Sequence, residues 1–288
     1  PPSYKTLLLS LYAMNPTAVK AFQPVVWEWH KTYAPHLPWR ETHDPHHILV
    51  SEVMLQQTQI PRVLQKYPKF LLAFPTIVSL ASTPLRTVLK SWQGMGYNRR
   101  ALHLKQTAEK IVAEHTSRIP HTIEELNALP GIGPYSARAI ACFAYNHCEP
   151  FIETNIRRAV IHEFFPRQKK VDDKDILKIL AAVQPKRNLR RWYWALMDYG
   201  RDGLKGKPNA NRRSRHYAKQ SKFEGSIRQL RAEVLRILLQ KKRATPNEIW
   251  SSLTKGASKN IEKKELVGVL MDLKREHLVR ESEAIFRI

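Results

Sequence analysis

The sequence predicts a mainly α-helical protein with two or three modest domains. Its 288 residues are enough for that many domains, and 43% hydrophobic residues are enough to form packed cores. Apolar residues recur at helical spacing through residues 16–199, and no convincing alternation typical of strands appears before residue 225. Proline and glycine separate the helical stretches, which indicates short helices joined by tight turns.

The predicted helices follow one another with short gaps. The first ends before Pro35 and the second before Pro61, because proline disfavours helix in the residue that precedes it. The helices are predicted over residues 16–33, 46–59, 62–73, 84–91, 99–115, 122–128, 134–145, 154–164, 173–182 and 189–199. The apolar run at residues 7–14 is far shorter than the roughly 20 residues that span a bilayer. It also lacks a small-residue cleavage site, so we expect neither a membrane segment nor a secretory signal.

The net charge predicts a polyanionic partner. The chain has 48 Lys and Arg against 25 Asp and Glu, a formal charge of +23 that exceeds what solubility requires. Nucleic acid is the first candidate partner and an anionic membrane surface is the second. A protein that is basic for no such reason is the remaining alternative on charge alone.

Residues 200–225 change character and predict a basic connector. They are rich in Gly, Asn and Ser, poor in aliphatic residues, and contain eight basic side chains against Asp202 and Glu224. The basic residues are Arg201, Lys205, Lys207, Arg212, Arg213, Arg215, Lys219 and Lys222. One interpretation is a solvated tether, and the other is a contact with the DNA backbone that releases counterions.

Residues 226–288 regain helical periodicity and predict a winged-helix-like module. A second helix of this region opens at Thr245, which is placed as an N-cap with Glu248 three residues on. A third helix is predicted at about 261–276, and residues 277–288 suit two short strands. Three helices followed by a hairpin is the order of a winged helix, although a plain helical bundle would give a similar pattern.

The string TIEELNALPGIGPYSARAIACF, residues 122–143, predicts a DNA-binding hairpin between two helices. We expect Gly131 and Gly133 to allow positive φ and a close backbone approach. Pro134 suits the first turn of the second helix, whose N-terminus would attract a DNA phosphate without a basic side chain. Ile132 is expected to pack inward and fix the turn. An ordinary corner between two packed helices is the alternative.

Further motifs make the likeness to a known family specific. They are LPWR at 37–40, SEVMLQQTQ at 51–59, GMGY at 94–97 and IETNIRRAV at 152–160. Together with the hairpin, they resemble the helix-hairpin-helix DNA glycosylases, in particular the MutY-like adenine glycosylase branch, over roughly residues 25–200. The resemblance implies two helical subdomains with an active site in the cleft between them. The expected domains are therefore 1–200 for this fold, 201–225 for the connector and 226–288 for the winged-helix-like module.

The resemblance also implies roles for individual residues. Glu52 occupies the position of the family's general acid, and Glu153 occupies the position of the superfamily's essential aspartate. Tyr135 occupies the position that is lysine in the bifunctional endonuclease III. Gln56 and Tyr97 match side chains that insert beside the extruded nucleotide. The expected DNA-binding residues are Gln56, Gln57, Thr58, Tyr97, Leu129, Gly131, Ile132, Gly133, Arg212, Arg213 and Arg215. The bland alternatives are a surface position for Glu52 and Gln56, a helix-dipole acid at Glu153, and packing for Tyr97 and Tyr135.

These residue types suit the cleavage of an N-glycosidic bond. The reaction passes through a cationic sugar, so it needs an acid for the leaving base and a carboxylate for the sugar. We expect Glu52 to be kept protonated by apolar neighbours, namely Val53, Met54 and Leu55. A lyase reaction needs a lysine that forms a Schiff base, and tyrosine at 135 predicts that this step is absent.

The chain departs from the family in three places. Glutamate replaces the aspartate at 153, and its added methylene moves the carboxylate by roughly 1 Å, which can cost about 100-fold when uncompensated. The family's four cluster-binding cysteines are missing, and the two cysteines present, Cys142 and Cys148, favour a reducing compartment. The region after residue 226 does not resemble the Nudix-like domain of adenine glycosylases. We therefore expect no iron–sulfur cluster. A monovalent cation at the hairpin is the one ion that we consider as a ligand.

Three functions remain open at this stage. The first is a monofunctional DNA glycosylase that removes adenine opposite 8-oxoguanine or guanine. The second is a mismatch glycosylase that acts on T:G or U:G pairs, because thymine glycosylases of this branch also lack the Nudix-like domain and also have tyrosine after the hairpin. The third is a DNA-structure-binding protein without catalysis. The expected partner is double-stranded DNA with a mispaired or damaged base, bound by a monomer in the cytoplasm, at the nucleoid, if the source is prokaryotic.

Overall fold

A computed structural model describes residues 16–219, 222–254 and 262–288 of the chain. The apolar run at 7–14 and the first residue of the helix expected at 261–276 lie outside these ranges. The chain forms two compact units, which we call unit 1 and unit 2. Unit 1 contains the chain up to Ile48, His121–Asn127 and Gly133–Lys219, and unit 2 contains Leu49–Pro120, Ala128–Ile132 and Gln220–Ile288.

The expectation of a mainly helical protein is confirmed. The helices are α1 (Pro16–Tyr33), α2 (Pro45–Leu55), α3 (Ile60–Ala73), α4 (Ile77–Ser82), α5 (Leu85–Ser91), α6 (Arg99–Glu114), α7 (Ile123–Asn127), α8 (Pro134–Tyr145), α9 (Thr154–Phe164), α10 (Asp173–Val183), α11 (Leu189–Asp198), α12 (Ile227–Lys241), α13 (Pro246–Thr254) and α14 (Lys263–Arg275). Within the described ranges, no helix is both long and apolar enough to cross a bilayer.

One helix limit differs from the prediction by four residues, and one helix was not predicted. Helix α2 ends at Leu55 rather than 59, and α4 was not predicted as a helix. The start of α4 is fixed by Thr76, whose hydroxyl accepts a hydrogen bond from the backbone N–H of Ser79, while the Ser79 hydroxyl accepts from Thr76 N–H. This reciprocal cap uses serine where the common sequence signature has Glu or Gln, so the pattern did not reveal it.

The core of unit 1 is dominated by aromatic rings. Phe22 of α1 lies edge-to-face against Phe164 and Trp192, at 5.1 Å and 6.1 Å between ring centroids. Phe151 and Tyr193 are stacked at 4.2 Å. Such contacts between rings add to the free energy gained by burying their area. Helices α1, α8, α9, α10 and α11 therefore share one packed centre.

A disulfide joins Cys142 near the end of α8 to Cys148 in the loop that follows. The sequence favoured a reducing compartment because two cysteines are too few for a disulfide framework. The structure instead pairs both residues with each other, which ties the loop before Phe151 to the helix.

The C-terminal part of unit 2 combines α12, α13 and α14 with a small antiparallel sheet. Its strands are β1 (Arg243–Ala244), β2 (Arg280–Ser282) and β3 (Ile285–Arg287), in the spatial order β1-β3-β2. The N-cap expected at Thr245 is present, since its hydroxyl accepts from Glu248 N–H and its own N–H donates to the Glu248 carboxylate at 2.7 Å. Strand β1 is too short to show an alternating pattern and was not predicted. The winged-helix interpretation of this region remains a prediction.

Candidate active site and nucleic-acid interface

The residues predicted from the sequence are shared between the two units. Unit 2 holds Glu52, Gln56, Gln57, Thr58, Tyr97, Leu129, Gly131 and Ile132. Unit 1 holds Gly133, Tyr135, Glu153, Arg212, Arg213 and Arg215.

Glu52 is buried within α2. Only 5% of the residue is exposed, and its neighbours Val53 and Met54 are buried as well, at 3% and 0%. Helix α2 begins where the Asp44 carboxylate accepts a hydrogen bond from His46 N–H at 2.7 Å. Glu52 is therefore not a surface helix residue, and its role as the general acid stays a prediction.

A buried arginine, Arg100 of α6, holds the C-terminal end of α2. Its Nη1 donates to the carbonyl oxygens of Val53, Met54 and Gln56 at 2.9, 2.8 and 2.5 Å. These carbonyls lie in the last turn of α2 and just beyond its end, where helical partners run out. Burial lowers the pKa of Arg100 to about 10, so the guanidinium stays charged at neutral pH. Arg100 thus fixes the segment that carries Gln56 and follows Glu52.

The same arginine reaches the loop that carries Tyr97. Its Nη2 donates to Thr58 Oγ1 at 2.9 Å and to the carbonyl oxygens of Met95 and Gly96 at 3.2 Å each. One side chain therefore joins the two loops that the resemblance places on DNA. No sequence motif above assigned a role to Arg100. The available signal was a charged residue at a position of α6 that faces inward.

Tyr97 is the exposed end of a strained turn. Its φ is +46°, in the left-handed region, and it follows Gly96 at φ +71°. The residue is 37% exposed, which does not suit a simple core aromatic. Gln57 has φ +55° and is also exposed. Non-glycine residues in this region cost free energy and often lie at functional positions.

The hairpin turn packs as predicted at Leu129 and Ile132, which are 3% and 4% exposed. Gly131 has φ +73°, and a Cβ there would lie 2.7 Å from the Cβ of His103, so only glycine fits. Thr107 Oγ1 donates to the Pro130 carbonyl at 2.8 Å and anchors the turn to α6. The backbone of the turn is thereby fixed while Gly131 itself remains exposed.

Gly133 differs from the expectation. Its φ is −87°, so the predicted positive φ is wrong at this position. A Cβ at Gly133 would meet no atom within 4 Å, which leaves open space over the start of α8. Pro134 occupies the first turn of α8, as expected. The positive end of this helix therefore lies behind an exposed, uncrowded backbone, which suits an approaching anion.

Tyr135 contacts Phe151, with 5.8 Å between the ring centroids and an edge-to-face arrangement. The residue is half-buried and packs on the core of unit 1. Its packing role is thus visible, and any role toward a substrate stays a prediction.

Glu153 is the N-cap of α9. Its Oε2 accepts hydrogen bonds from the backbone N–H groups of Asn155 and Ile156 at 2.6 and 3.4 Å. Its Oε1 accepts from the Asn155 side chain at 3.1 Å. Burial raises the pKa of Glu153, and these hydrogen bonds act in the opposite direction. The longer glutamate side chain makes the two backbone contacts that capping residues normally make.

The start of α9 is held closely by the end of α11. A Cβ on Gly200, in the π-helical turn Tyr199–Gly203, would lie 1.9 Å from the Asn155 carbonyl oxygen. Just before this turn, Asp198 is fully buried and forms a two-pronged ion pair with Arg40 at 2.6 and 2.8 Å. The buried ion pair between Asp198 and Arg40 fixes this π-helical turn. The position of the turn then limits where Glu153 can lie.

The basic connector is folded against α9 by its own polar side chains. Asn211 Nδ2 donates to the Thr154 carbonyl at 3.0 Å, and Arg213 donates to the carbonyls of Ile161 and Phe165 at the other end of the helix. Arg215 pairs with Asp172 at 2.8 Å and remains largely exposed. Arg212 is exposed. That all three arginines contact phosphates stays a prediction, but Arg213 already serves as the cap of α9.

A four-thiolate cluster does not fit this sequence. It has two cysteines, and they are bonded to each other. Among the residues that the structure describes, no group of three or more His, Cys, Asp or Glu side chains is placed to hold a metal ion. Polar side chains of the connector hold it against α9.

Comparison with known proteins agrees with the motifs. A model of the HhH-GPD superfamily of base excision DNA repair proteins matches residues 50–194. The chain is 38% identical over 176 residues to the adenine DNA glycosylase of Mycobacterium tuberculosis, covering 60% of this chain and 58% of that protein. It is 32% identical over 197 residues to the adenine DNA glycosylase of Buchnera aphidicola subsp. Baizongia pistaciae, covering 68% and 56%. The chain thus matches somewhat over half the length of these relatives.

Solved structures show the same fold. A thermostable thymine-DNA glycosylase aligns with a TM-score of 0.60 at 24% identity, covering 67% of this chain and 91% of that one. Endonuclease III in a trapped covalent complex with DNA aligns with a TM-score of 0.55 at 16% identity, with the same coverage. Because the family model spans about half of the sequence, including Glu52 and Glu153, the chain belongs to the HhH-GPD superfamily of base excision DNA repair proteins.

Proposed function

We propose that the chain is a monofunctional DNA glycosylase that removes adenine opposite 8-oxoguanine or guanine. The observation that carries this proposal is the contrast between two acidic residues, one buried in an apolar helix and one capping a helix N-terminus. The matched adenine glycosylases, at 32% and 38% identity, support adenine as the base. The substrate is double-stranded DNA, from which the base is turned out of the stack.

The two acids would divide the chemistry. Glu52 donates a proton to the leaving base, which needs one to depart as a neutral molecule. Glu153 stays ionised and stabilises the positive charge that develops on the sugar, after which water adds and completes hydrolysis. The backbone N–H groups of Asn155 and Ile156 favour the charged form of Glu153. No metal and no redox group is required for these steps.

Base removal would end without strand cleavage. A lyase step needs an amine that attacks the sugar, and position 135 holds a tyrosine whose ring packs on Phe151. We further propose that the protein acts as a monomer, without an iron–sulfur cluster, away from membranes and at the nucleoid if it is prokaryotic. A monovalent cation at the hairpin turn remains part of the proposal.

Single-turnover assays on a panel of duplexes test the function. The duplexes carry A:8-oxoguanine, A:G, T:G, U:G or A:T as the central pair, and each reaction is divided and read with and without alkali. We expect strand breaks with A:8-oxoguanine and A:G, only after alkali. The Glu52→Gln variant is the negative control for contaminating activity.

Each other outcome has a defined meaning. Breaks confined to T:G and U:G would replace adenine by thymine or uracil, the alternative that tyrosine at 135 and the non-Nudix C-terminal region favour. Breaks without alkali would contradict the monofunctional assignment. Tight binding of mismatched duplex with no base release on any pair would leave a DNA-structure-binding protein.

A further inference from the structure

The C-terminal part of unit 2 contacts the residue predicted to enter the base stack. Arg228, at the start of α12, donates from Nη1 to the Tyr97 hydroxyl at 2.8 Å. Its guanidinium also lies 5.9 Å from the centre of the Tyr97 ring, on which cation–π attraction acts. Arg100 lies at 5.6 Å from the same ring. Tyr97 is thus held by one arginine from its own motif and one from a segment 131 residues away.

This placement of Arg228 rests on a firm attachment of the C-terminal helices to α5 and α6. Glu276 forms ion pairs with Arg99 of α6 at 3.1 Å and with Arg231 of α12 at 2.5 Å. Arg86 of α5 donates to the Leu239 carbonyl at 2.5 Å. The Glu276 carboxylate is mostly buried, so these pairs are less screened by solvent than surface pairs. The contact between Arg228 and Tyr97 is therefore part of a packed interface within unit 2.

The turn before α12 presents an unusual surface beside Arg228. Phe223 and Ile227 are 55% and 47% exposed, and Lys222 is exposed as well. The turn is ordered by hydrogen bonds, since Ser226 Oγ donates to the Phe223 carbonyl at 2.5 Å and Arg228 Nη2 donates to the Lys222 carbonyl at 3.2 Å. Gly225 has φ +71°, which glycine adopts without strain. Exposed apolar side chains flanked by basic ones are typical of surfaces that enter or line a DNA groove.

We propose that residues 222–228 form a second duplex contact next to Tyr97, with Arg228 as the positioning residue that sets the Tyr97 ring. On DNA, Lys222 faces a phosphate while Phe223 packs against the sugar–base edge beside the mispair. The C-terminal segment then takes part in lesion recognition through Tyr97. The proposal rests on the assignment of DNA as the substrate, and it adds a binding surface that the family's motifs do not contain.

The partner is duplex DNA because the surface is continuous with the turn that carries Tyr97 and is basic. Residues 222–288 contain fifteen Lys and Arg against nine Asp and Glu. An apolar patch for another protein would not require a guanidinium on the tyrosine hydroxyl. A protein or membrane partner would leave the behaviour of Tyr97 on DNA unchanged, which gives the test its discriminating power.

The test measures base unstacking without relying on base release. A duplex with 2-aminopurine beside an A:G mispair reports unstacking by a rise in fluorescence, and it is titrated with the Glu52→Gln protein so that no base is removed. We expect Arg228→Ala to weaken binding about tenfold, as expected for loss of a charged hydrogen bond, and to reduce the fluorescence rise at saturation. Arg228→Lys restores charge but not the forked geometry, so it should restore affinity more than fluorescence.

Tyr97→Phe and the double variant complete a thermodynamic cycle. If Arg228 acts through Tyr97, the double variant should bind the duplex and unstack the base nearly as well as the more impaired single variant. Arg236→Ala is the matched control, because Arg236 lies on the same helix and is exposed. The proposal would be overturned if the two single losses of affinity and fluorescence added up in the double variant. It would also be overturned if Arg228→Ala and Arg236→Ala changed these two quantities equally. Failure of every duplex to release a base would concern the proposed function alone, since the fluorescence titration does not depend on it.

Discussion

Glu52 and Glu153 are held in opposite ways. Glu52 lies well inside α2, where the backbone N–H groups serve the helix itself, and the residue is buried. Glu153 lies outside the first turn of α9, where two backbone N–H groups point at its carboxylate. A helix interior leaves no backbone N–H group free for a carboxyl, whereas a helix N-terminus offers free backbone donors and the positive end of the dipole. Position along a helix therefore gives two residues of the same type different backbone surroundings.

The residues that hold the two acids in place also differ: one is a buried arginine side chain and the other is a glycine in close backbone contact. Arg100 binds carbonyls at the C-terminal end of α2, namely those one, two and four residues after Glu52. Around Glu153 the close contact is Gly200, which brings backbone next to Asn155. The rate of base release should therefore depend differently on the two residues when charge is removed, when a side chain is lengthened or shortened, and when the pH changes.

The largest effect is expected at Glu52. Glu52→Gln keeps the volume and removes the proton donor, so single-turnover base release should fall about 10³- to 10⁴-fold, the upper range for general acids. Duplex affinity, measured by anisotropy, should change little. Glu114→Gln, an exposed position in unit 2, is the matched control. A Glu52→Gln rate within a few-fold of the parent would remove Glu52 as the acid.

The second-largest effect is expected at Glu153, where the variants distinguish a catalytic role from a role as a helix cap. Glu153→Ala should lower single-turnover base release about 100-fold or more, and Glu153→Asp should also be slower than the parent, because the start of α9 is built around the longer side chain. Thr76→Ala removes the N-cap of α4 and serves as the control for loss of a cap alone. A Glu153→Asp variant faster than the parent would show that the site retains the geometry of an aspartate.

A smaller effect is expected from Gly200. A Cβ there would lie 1.9 Å from the Asn155 carbonyl, so Gly200→Ala must displace the start of α9. We expect the free energy of unfolding to fall by about 1–3 kcal/mol and base release to fall about tenfold or more. Gly268→Ala in α14, where a Cβ meets nothing within 4 Å, should instead be neutral or stabilising. Equal melting temperatures for the two variants would contradict the close contact.

The pH dependence should reveal the raised pKa of Glu153. Glu153 acts as a carboxylate, so lowering the pH protonates it and lowers the single-turnover rate. Because burial raises its pKa above the ordinary 4.5, the acidic limb should lie at higher pH than for a solvated glutamate. The residual rate of Glu153→Ala should lack this limb. A limb that persists unchanged in that variant would assign the titration to another group or to DNA binding.

The smallest effects concern the connector. Arg212→Ala should flatten the plot of log affinity against log salt by about one unit, as expected for one phosphate contact, with no change in base preference. Arg213→Ala should leave the slope unchanged and lower the melting temperature, because Arg213 caps α9. Replacing Arg212, Arg213 and Arg215 together should flatten the slope by up to about two units, because Arg213 is engaged in capping α9. An unchanged slope in the triple variant would support a simple tether.

The local features were predictable from the sequence. The helix limits set by Pro and Gly, the N-cap at Thr245 and the inward packing of Ile132 all depend on residues close together in the chain. The roles of Arg100, Gly200 and Arg213 depend on partners tens of residues away, and no spacing rule connects them. Gly133 illustrates a further limit, because its residue type permitted a positive φ that the turn does not use.

The cap of α9 has a consequence for the order of folding during synthesis. Residues 154–164 leave the ribosome about fifty residues before Asn211 and Arg213, which bind the two ends of that helix. Until then the carbonyls of Ile161 and Phe165 lack their arginine, and Gly200 has not yet reached Asn155. The helix that carries Glu153 is therefore completed late, and a nascent chain halted near residue 200 would have its motifs in place but an unfinished catalytic half.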